Sequence, residues 1–216
     1  DNPAFFNASL LDKPIIPIFI LDDLDANERK LGKAAKWWLH KSLINLSSDL
    51  EKFGSRLLLF SGKALDILEE LIRSSNSDCV MWNRRYEPWA VARDILIKEK
   101  LSKNGLSIKS FKANLVYEPW NIKSKTGNPL KVFTPYKKAL LNKGPLPEPI
   151  EIPKILPSPL IWPNGKNIND LELLDKFNWM EKFNVWDVGS DSAFKKLSFF
   201  KKNSLNSYGT KRDIPG

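Results

Sequence analysis

Over the first 112 residues, short apolar runs alternate with longer segments in which apolar residues recur on one face. Four short apolar runs predict β-strands, at residues 15–21, 56–60, 79–82 and 106–111. Longer segments with one apolar face predict helices, at residues 33–53, 63–73 and 88–103. Strands that alternate with such helices are typical of parallel βαβ units, so we predict an α/β fold with a doubly wound, mainly parallel, Rossmann-like sheet. Apolar residues at successive positions further predict strands covered on both faces.

Local signals mark where two of these helices begin or end. Gly54 follows the first helix and predicts its end. Pro88 suits the first turn of the third helix, where its missing N–H would have no helical partner anyway. In open parallel sheets, ligands bind beyond the carboxyl ends of the strands. Residues 83–87, Asn-Arg-Arg-Tyr-Glu, directly follow the third strand, so we expect a binding site there.

The character of the sequence changes from about residue 142. Seven prolines fall between residues 145 and 163, which predicts an extended linker that crosses a surface. Beyond it, residues 170–176 and 191–203 are expected to form short helices. We therefore predict an α/β domain at residues 1–142, a proline-rich linker at 143–169 and the start of a helical domain at 170–216.

Composition narrows the class of protein. A net charge of +9, from 34 Lys and Arg against 25 Asp and Glu, permits a polyanionic partner without demonstrating one, because the lysines are scattered. The single cysteine, Cys79, excludes an intramolecular disulfide and a cysteine-based metal cluster, and its apolar neighbours favour an inert thiol. No run of 18 apolar residues and no signal-peptide pattern occurs, so we expect a cytoplasmic protein with no membrane partner.

Familiar catalytic machinery is missing from the sequence. His40 is the only histidine and lies mid-helix, where a packed or capping side chain is commoner than a general base. The glycines lack the spacing of a dinucleotide-binding or triphosphate-binding loop, and no zinc-protease or serine-hydrolase motif occurs. We therefore expect no catalytic and no metal-ligating residue here, and chemistry that is either carried by a cofactor or encoded elsewhere.

Three segments are more specific, namely residues 82–94, 115–136 and 208–215. Each taken singly also fits a structural role, either as aromatic packing at the two Pro-Trp pairs or as a solvated salt-bridge loop at Arg-Arg-Tyr-Glu. Together with Lys-Trp-Trp-Leu-His-Lys-Ser-Leu at 36–43, and in this order, they resemble the DNA photolyase/cryptochrome family. The resemblance covers essentially the whole chain, and it implies the family's N-terminal α/β antenna domain followed by the connector.

The resemblance also implies a function. Family members place FAD in an all-helical domain, and excited reduced flavin donates an electron to a cyclobutane pyrimidine dimer flipped out of DNA. The resemblance therefore implies the N-terminal part of a deoxyribodipyrimidine photolyase, with damaged DNA as its partner, and a monomer when complete. Tyr208 matches a family tyrosine that contacts FAD, and Arg212 matches an arginine that contacts the DNA backbone.

An antenna chromophore is implied as well. By resemblance, its cleft includes Asn83, Arg84, Glu87, Trp89 and Ala90. Folate-binding members of one branch carry Asn-Glu where this chain has Trp89 and Ala90, so those two residues do not supply the same hydrogen bonds. Methenyltetrahydrofolate, a deazaflavin, a flavin or no antenna at all remain open.

Two departures from the family pattern shape our expectations. The family's first strand and its flavin-phosphate motif are not found in the chain, so we expect a piece that is truncated at both ends, inactive alone and unable to hold FAD tightly. Removing the first strand would leave neighbouring strands with open edges. Two alternatives stay open, namely a cryptochrome blue-light receptor and a non-catalytic α/β domain that binds a small ligand.

Overall fold

A computed structural model describes residues 2–22, 30–124, 126–175 and 178–213. Helices and strands alternate over the first half of the chain, as far as Phe111, and only helices follow among the described residues. In chain order they are α1 (Pro3–Ser9), β1 (Ile18–Leu21), α2 (Lys33–Glu51), β2 (Leu58–Ser61), α3 (Ala64–Ser75), β3 (Cys79–Asn83), α4 (Pro88–Lys103), β4 (Ser107–Phe111), α5 (Phe133–Leu141), α6 (Ser190–Asn203) and α7 (Tyr208–Lys211). Four short 3-10 helices lie at Pro119–Asn121, Ile168–Leu171, Asn178–Phe183 and Leu205–Ser207.

The chain divides into two compact units. The first unit contains Asp1–Ile16 and Lys63–Pro163, and the second contains Pro17–Gly62 and Asn164–Gly216. Each unit contains one parallel pair of strands. In the second unit β1 pairs with β2, from Ile18 opposite Leu58 onward, and in the first unit β3 pairs with β4, from Cys79 opposite Ser107 onward. Parallel strands that alternate with helices confirm the predicted α/β fold class.

The predicted covering of the strands on both faces is confirmed at the successive residues Leu58 and Leu59 of β2 and is wrong for β4. Only Leu58 and Leu59 are buried among the residues of the four described strands. In β4, Ser107 and Lys109 are exposed while Ile108 between them is half-buried. Ser107 and Lys109 project from the same face of β4, and the exposure of both means that this face is open to solvent, as alternation of polar and apolar residues indicates.

Each unit has its own apolar core. In the first unit, α4 buries Ala90, Ile97 and Leu101, which recur at helical spacing along one face, and α3 buries Leu68 and Leu71. In the second unit a buried cluster joins residues of α2, β2, the Ile168–Leu171 helix and the segment after it, namely Leu43, Leu59, Leu171 and Leu173.

Several element ends agree with the predictions and others shift. α4 spans the predicted residues, and Gly54 follows α2 with a φ of 70°, a conformation that glycine adopts without strain. The first predicted strand starts three residues late, at Ile18, because Pro14 and Pro17 have no N–H for a ladder. His40 is buried on α2, which supports the packed interpretation of this residue.

The second half of the chain carries little regular structure. Instead of a helix at 170–176, a short 3-10 helix spans Ile168–Leu171, and residue 176 lies outside the described residues. The proline-rich segment, residues 145–163, has neither helix nor strand and belongs to the first unit, where Leu156 is buried and the Ile15 N–H donates to the Pro157 carbonyl over 2.8 Å. The domain boundaries near residues 142 and 169 stay predictions. In the part of the chain that the structure describes, no helix is both long and apolar enough to span a membrane.

Candidate functional site

The loop after β3 is fixed by one buried carboxylate. Glu118 precedes the Pro119–Asn121 helix, and its Oε1 accepts hydrogen bonds from Arg84 Nε over 3.1 Å and Nη2 over 2.5 Å. Its Oε2 accepts a hydrogen bond from the Tyr86 hydroxyl over 2.8 Å. Arg84 Nη1 donates to both the carbonyl and the Oγ of Ser110 on β4. A single arginine therefore links the carboxyl ends of β3 and β4 to the segment that carries Glu118.

This network shifts the pKa values of the groups around Glu118. Burial acts to lower the pKa of Arg84, but the hydrogen bonds to Glu118 and Tyr86 outweigh it, and the pKa lies above its ordinary value. Burial, helped by the hydrogen bond to Glu118, raises the pKa of Tyr86. Both shifts favour a charged guanidinium and a neutral phenol, which are the forms that donate hydrogen bonds to the carboxylate.

A second buried carboxylate lies on α4. Asp94 Oδ2 accepts the indole N–H of Trp82 over 2.7 Å, and Oδ1 accepts Arg93 Nε over 2.9 Å and Nη2 over 2.7 Å. The Arg93 guanidinium also lies 5.3 Å from the centroid of the Trp89 ring, and that of Arg85 lies 4.6 Å from the same ring. Trp89 is thus half-buried between two cations, and each arginine also pairs with a carboxylate.

The predicted antenna residues lie together after β3, but they are not equally available to a ligand. Arg84 and Trp89 are half-buried, and Glu87 is exposed. Ala90 is fully buried on the inner face of α4. The Asn83 side chain accepts the Ala4 N–H over 3.0 Å and donates to Asn2 Oδ1 over 2.6 Å, so its amide holds the start of α1.

Glu87 makes only local contacts, in contrast to Glu118. It accepts hydrogen bonds from Arg85 and from the backbone N–H of Tyr86. The hydrogen bond from Arg85, together with its own backbone N–H, lowers the pKa of Glu87 to about 2. Glu87 therefore carries a negative charge throughout the physiological range.

Tyr208 and Arg212 lie one helical turn apart in the second unit. Tyr208 begins α7, and the Arg212 N–H donates to its carbonyl over 3.0 Å. Residues at this spacing share one face of a helix. The Tyr208 side chain packs edge-on against Phe200 of α6 and is half exposed, while Arg212 is exposed and 3.5 Å from Asp213.

Sequence reasoning missed the two buried carboxylates, Glu118 and Asp94. A signal for Glu118 was present, because the tetrapeptide Tyr-Glu-Pro-Trp occurs twice, at residues 86–89 and 117–120. A signal for Asp94 was present too, because it lies at helical spacing between Ala90 and Ile97 on the face of α4 that is buried. Across residues 2–22, 30–124, 126–175 and 178–213, no group of three or more His, Cys, Asp or Glu side chains could hold a metal ion.

Known proteins resemble this chain in sequence and in structure. A family model described as DNA photolyase matches residues 1–154. The chain belongs to the DNA photolyase family. A deoxyribodipyrimidine photo-lyase of Agrobacterium fabrum is 39% identical over 217 residues, which cover 100% of this chain and 45% of that protein. Cryptochrome-2 of Arabidopsis thaliana is 30% identical over 96% of this chain and 35% of its own length.

Solved structures place the fold in the same family. A class III photolyase from Agrobacterium tumefaciens aligns over 99% of this chain and 44% of its own, with a TM-score of 0.91 and 39% identity. A photolyase from Sulfolobus tokodaii, described with two FAD molecules, aligns over 81% of this chain and 39% of its own at 25% identity, with a TM-score of 0.63. The chain thus spans less than half the length of these relatives and has the fold of the photolyase N-terminal domain.

Proposed function

We propose that this chain is the N-terminal part of a deoxyribodipyrimidine photolyase, a light-driven, FAD-dependent enzyme that splits cyclobutane pyrimidine dimers in DNA. The observation that supports it best is 39% identity along the whole chain to a photolyase, against 30% to a plant cryptochrome. The net charge of +9 favours a polyanionic partner such as DNA.

Tyr208 and Arg212 are the contacts that this chain would contribute to the flavin and DNA site. Bound FAD would supply the electron that opens the dimer. An exposed tyrosine edge on α7 suits a flavin contact, because it offers a ring and a hydroxyl donor with few neighbours in the way. Arg212, one turn away and exposed, suits a DNA phosphate, to which a guanidinium can bind with two N–H donors.

The loop after β3 is the proposed antenna cleft. Arg84, Glu87 and Trp89 are its accessible members, while Asn83 and Ala90 would support it from behind, since one holds α1 and the other is buried. The Trp89 ring, which is half-buried beside the Arg85–Glu87 and Arg93–Asp94 ion pairs, suits a planar chromophore that can stack on it. Methenyltetrahydrofolate, a deazaflavin and a flavin all meet this description.

Light-dependent survival tests the proposed repair function. The full-length protein should restore survival of ultraviolet-irradiated, repair-deficient cells in light but not in darkness. Replacing Arg212 with Ala should weaken the rescue, because a lost phosphate contact weakens DNA binding across sequences. Lys63→Ala, an exposed cation in the first unit, serves as the charge-matched control.

The cryptochrome alternative has its own supporting observation, namely 30% identity to cryptochrome-2 over nearly the whole chain. Full-length protein that binds flavin but gives no rescue in light would support signalling and contradict repair. Rescue in light by flavin-loaded protein would contradict the alternative.

A further inference from the structure

The second Tyr-Glu-Pro-Trp segment, residues 117–120, has no part in the function proposed above. The Glu118 side chain is only 7% exposed, and carboxylates are rarely buried unless they are paired. Its two oxygens accept hydrogen bonds from two residues of one loop, Arg84 and Tyr86. We infer that Glu118 is a positioning residue that holds the segment 84–89 in the geometry of the antenna cleft.

A comparison of the two copies of the tetrapeptide separates the effect of the local sequence from the tertiary contacts of Glu118. Both glutamates have the same extended backbone, with φ −64° and ψ 138° at Glu87 and φ −63° and ψ 142° at Glu118, and a proline follows each at a helix start. The Glu87 side chain is 48% exposed and binds its own neighbours. The Glu118 side chain instead binds residues 34 and 32 positions earlier in the chain. The local sequence sets the backbone in both copies, but only Glu118 forms a tertiary contact.

The directions of the donors explain why one carboxylate can hold the loop. Arg84 directs Nε and Nη2 to Glu118 and Nη1 to Ser110, so the guanidinium is held on two sides. The side chain of Arg84 is also partly buried, so water cannot fully replace a lost acceptor. Removing one member of such a pair leaves a desolvated charge, which the loop can relieve only by moving Arg84 toward solvent.

Amide hydrogen exchange on the full chain tests this role. Glu118→Met keeps the side-chain length but removes both acceptors, and we expect exchange of the amides of residues 84–87 to accelerate by about tenfold or more. Glu118→Gln should stay within about threefold of wild type, because its oxygen can accept from Arg84 while its NH2 donates to the Tyr86 oxygen. Glu99→Gln, an exposed residue on the outer face of α4, removes the same charge and should change nothing.

Two results would overturn the inference. One is unchanged exchange of residues 84–87 in Glu118→Met, and the other is an equal acceleration throughout the first unit, which would indicate a general loss of stability. If Glu118→Met does not fold, Tyr86 decides the question. Burial keeps part of its raised pKa in any variant, so in Glu118→Gln the pKa should fall only by the part that the hydrogen bond to Glu118 adds, and in Glu99→Gln it should not change. An unmoved Tyr86 titration in folded Glu118→Gln would contradict the inference.

The link to the antenna rests on the proposed function and is measured separately. Full-length protein is titrated with methenyltetrahydrofolate, with a deazaflavin and with a flavin, and Glu118→Met should bind at least about tenfold more weakly than wild type. If wild type binds none of them, the cleft proposal fails while the exchange result still stands. If Glu118→Met binds as tightly as wild type, the positioning inference fails while the cleft proposal stands.

Discussion

Replacing Asp94 with Leu should destabilise the chain strongly, although Asp94 is a charged residue on a largely exposed helix. The Asp94 side chain is only 9% exposed, and it accepts the Trp82 indole N–H and two N–H groups of Arg93. Leucine is similar in size but accepts no hydrogen bond. The substitution therefore leaves donors without this acceptor at a buried position, which is more costly than losing a surface ion pair.

The size of the effect follows from the three hydrogen bonds. The bond from Trp82 goes to a charged acceptor, a class that contributes about 1.5–3 kcal/mol. The Arg93 side chain is 19% exposed and packs on Trp89, so the loss of its carboxylate partner should cost about 1 kcal/mol or more. We expect Asp94→Leu to lower the free energy of unfolding by about 3 kcal/mol, near the lower end for a broken buried pair.

Urea unfolding of the 216-residue chain, followed by circular dichroism, measures this loss. Asp94→Asn retains one acceptor oxygen and should lose less than Asp94→Leu, and Glu99→Gln removes a negative charge from the same helix without these contacts. A double-mutant cycle of Trp82→Phe with Asp94→Leu should show a coupling of about 1 kcal/mol or more. An additive cycle, or an Asp94→Leu loss below about 0.5 kcal/mol, would refute the assigned role of this carboxylate.

Three further predictions follow from buried or paired residues. Leu101→Ala should lower the free energy of unfolding by about 2–5 kcal/mol in the same urea assay, because Leu101 is fully buried, and a loss below 1 kcal/mol would contradict this. The pKa of Glu87, about 2, should rise toward 4.5 in Arg85→Ala when followed by carboxyl NMR, so the stability from this pair is present above pH 4.5 and lost as the pH falls toward 2. Burial, with a smaller effect of the Lys41 charge, lowers the pKa of His40 below its ordinary value of 6.5. The native state therefore favours the neutral imidazole, and the stability that this preference contributes is present above pH 6.5 and is lost as the pH falls below it. His40→Gln should flatten that dependence of the unfolding midpoint, and an unchanged slope would count against it.

Local signals allowed the sequence to predict elements whose ends are set within a few residues. α4 has both predicted ends, because Pro88 fixes the first turn and Asn104-Gly105 stops the helix. α1 and α5 were not predicted, since they have 7 and 9 residues and too few turns to show a periodic apolar face. Strand burial was overestimated because apolar character indicates that a residue can be buried, whereas the elements that pack on each face of the sheet determine whether it is.

The candidate site also combines features that the local sequence determines with features that depend on tertiary packing. The sequence predicted the position of the loop between β3 and α4, because the carboxyl end of a strand follows from strand order alone, and a binding site in that loop stays a prediction. It could not tell that Asn83 would hold α1 or that Ala90 would face inward, since both depend on which elements pack nearby.

The two Tyr-Glu-Pro-Trp segments make the limit concrete. Identical tetrapeptides adopt nearly the same backbone, yet one glutamate is exposed and binds its own neighbours while the other is buried and binds a distant loop. The difference arises because Arg84, at the end of β3, lies where the carboxylate of Glu118 can reach it. The network around Glu118 is therefore a property of the fold, and a substitution there should disturb the loop at residues 84–87 even though Glu118 belongs to a different segment of the chain.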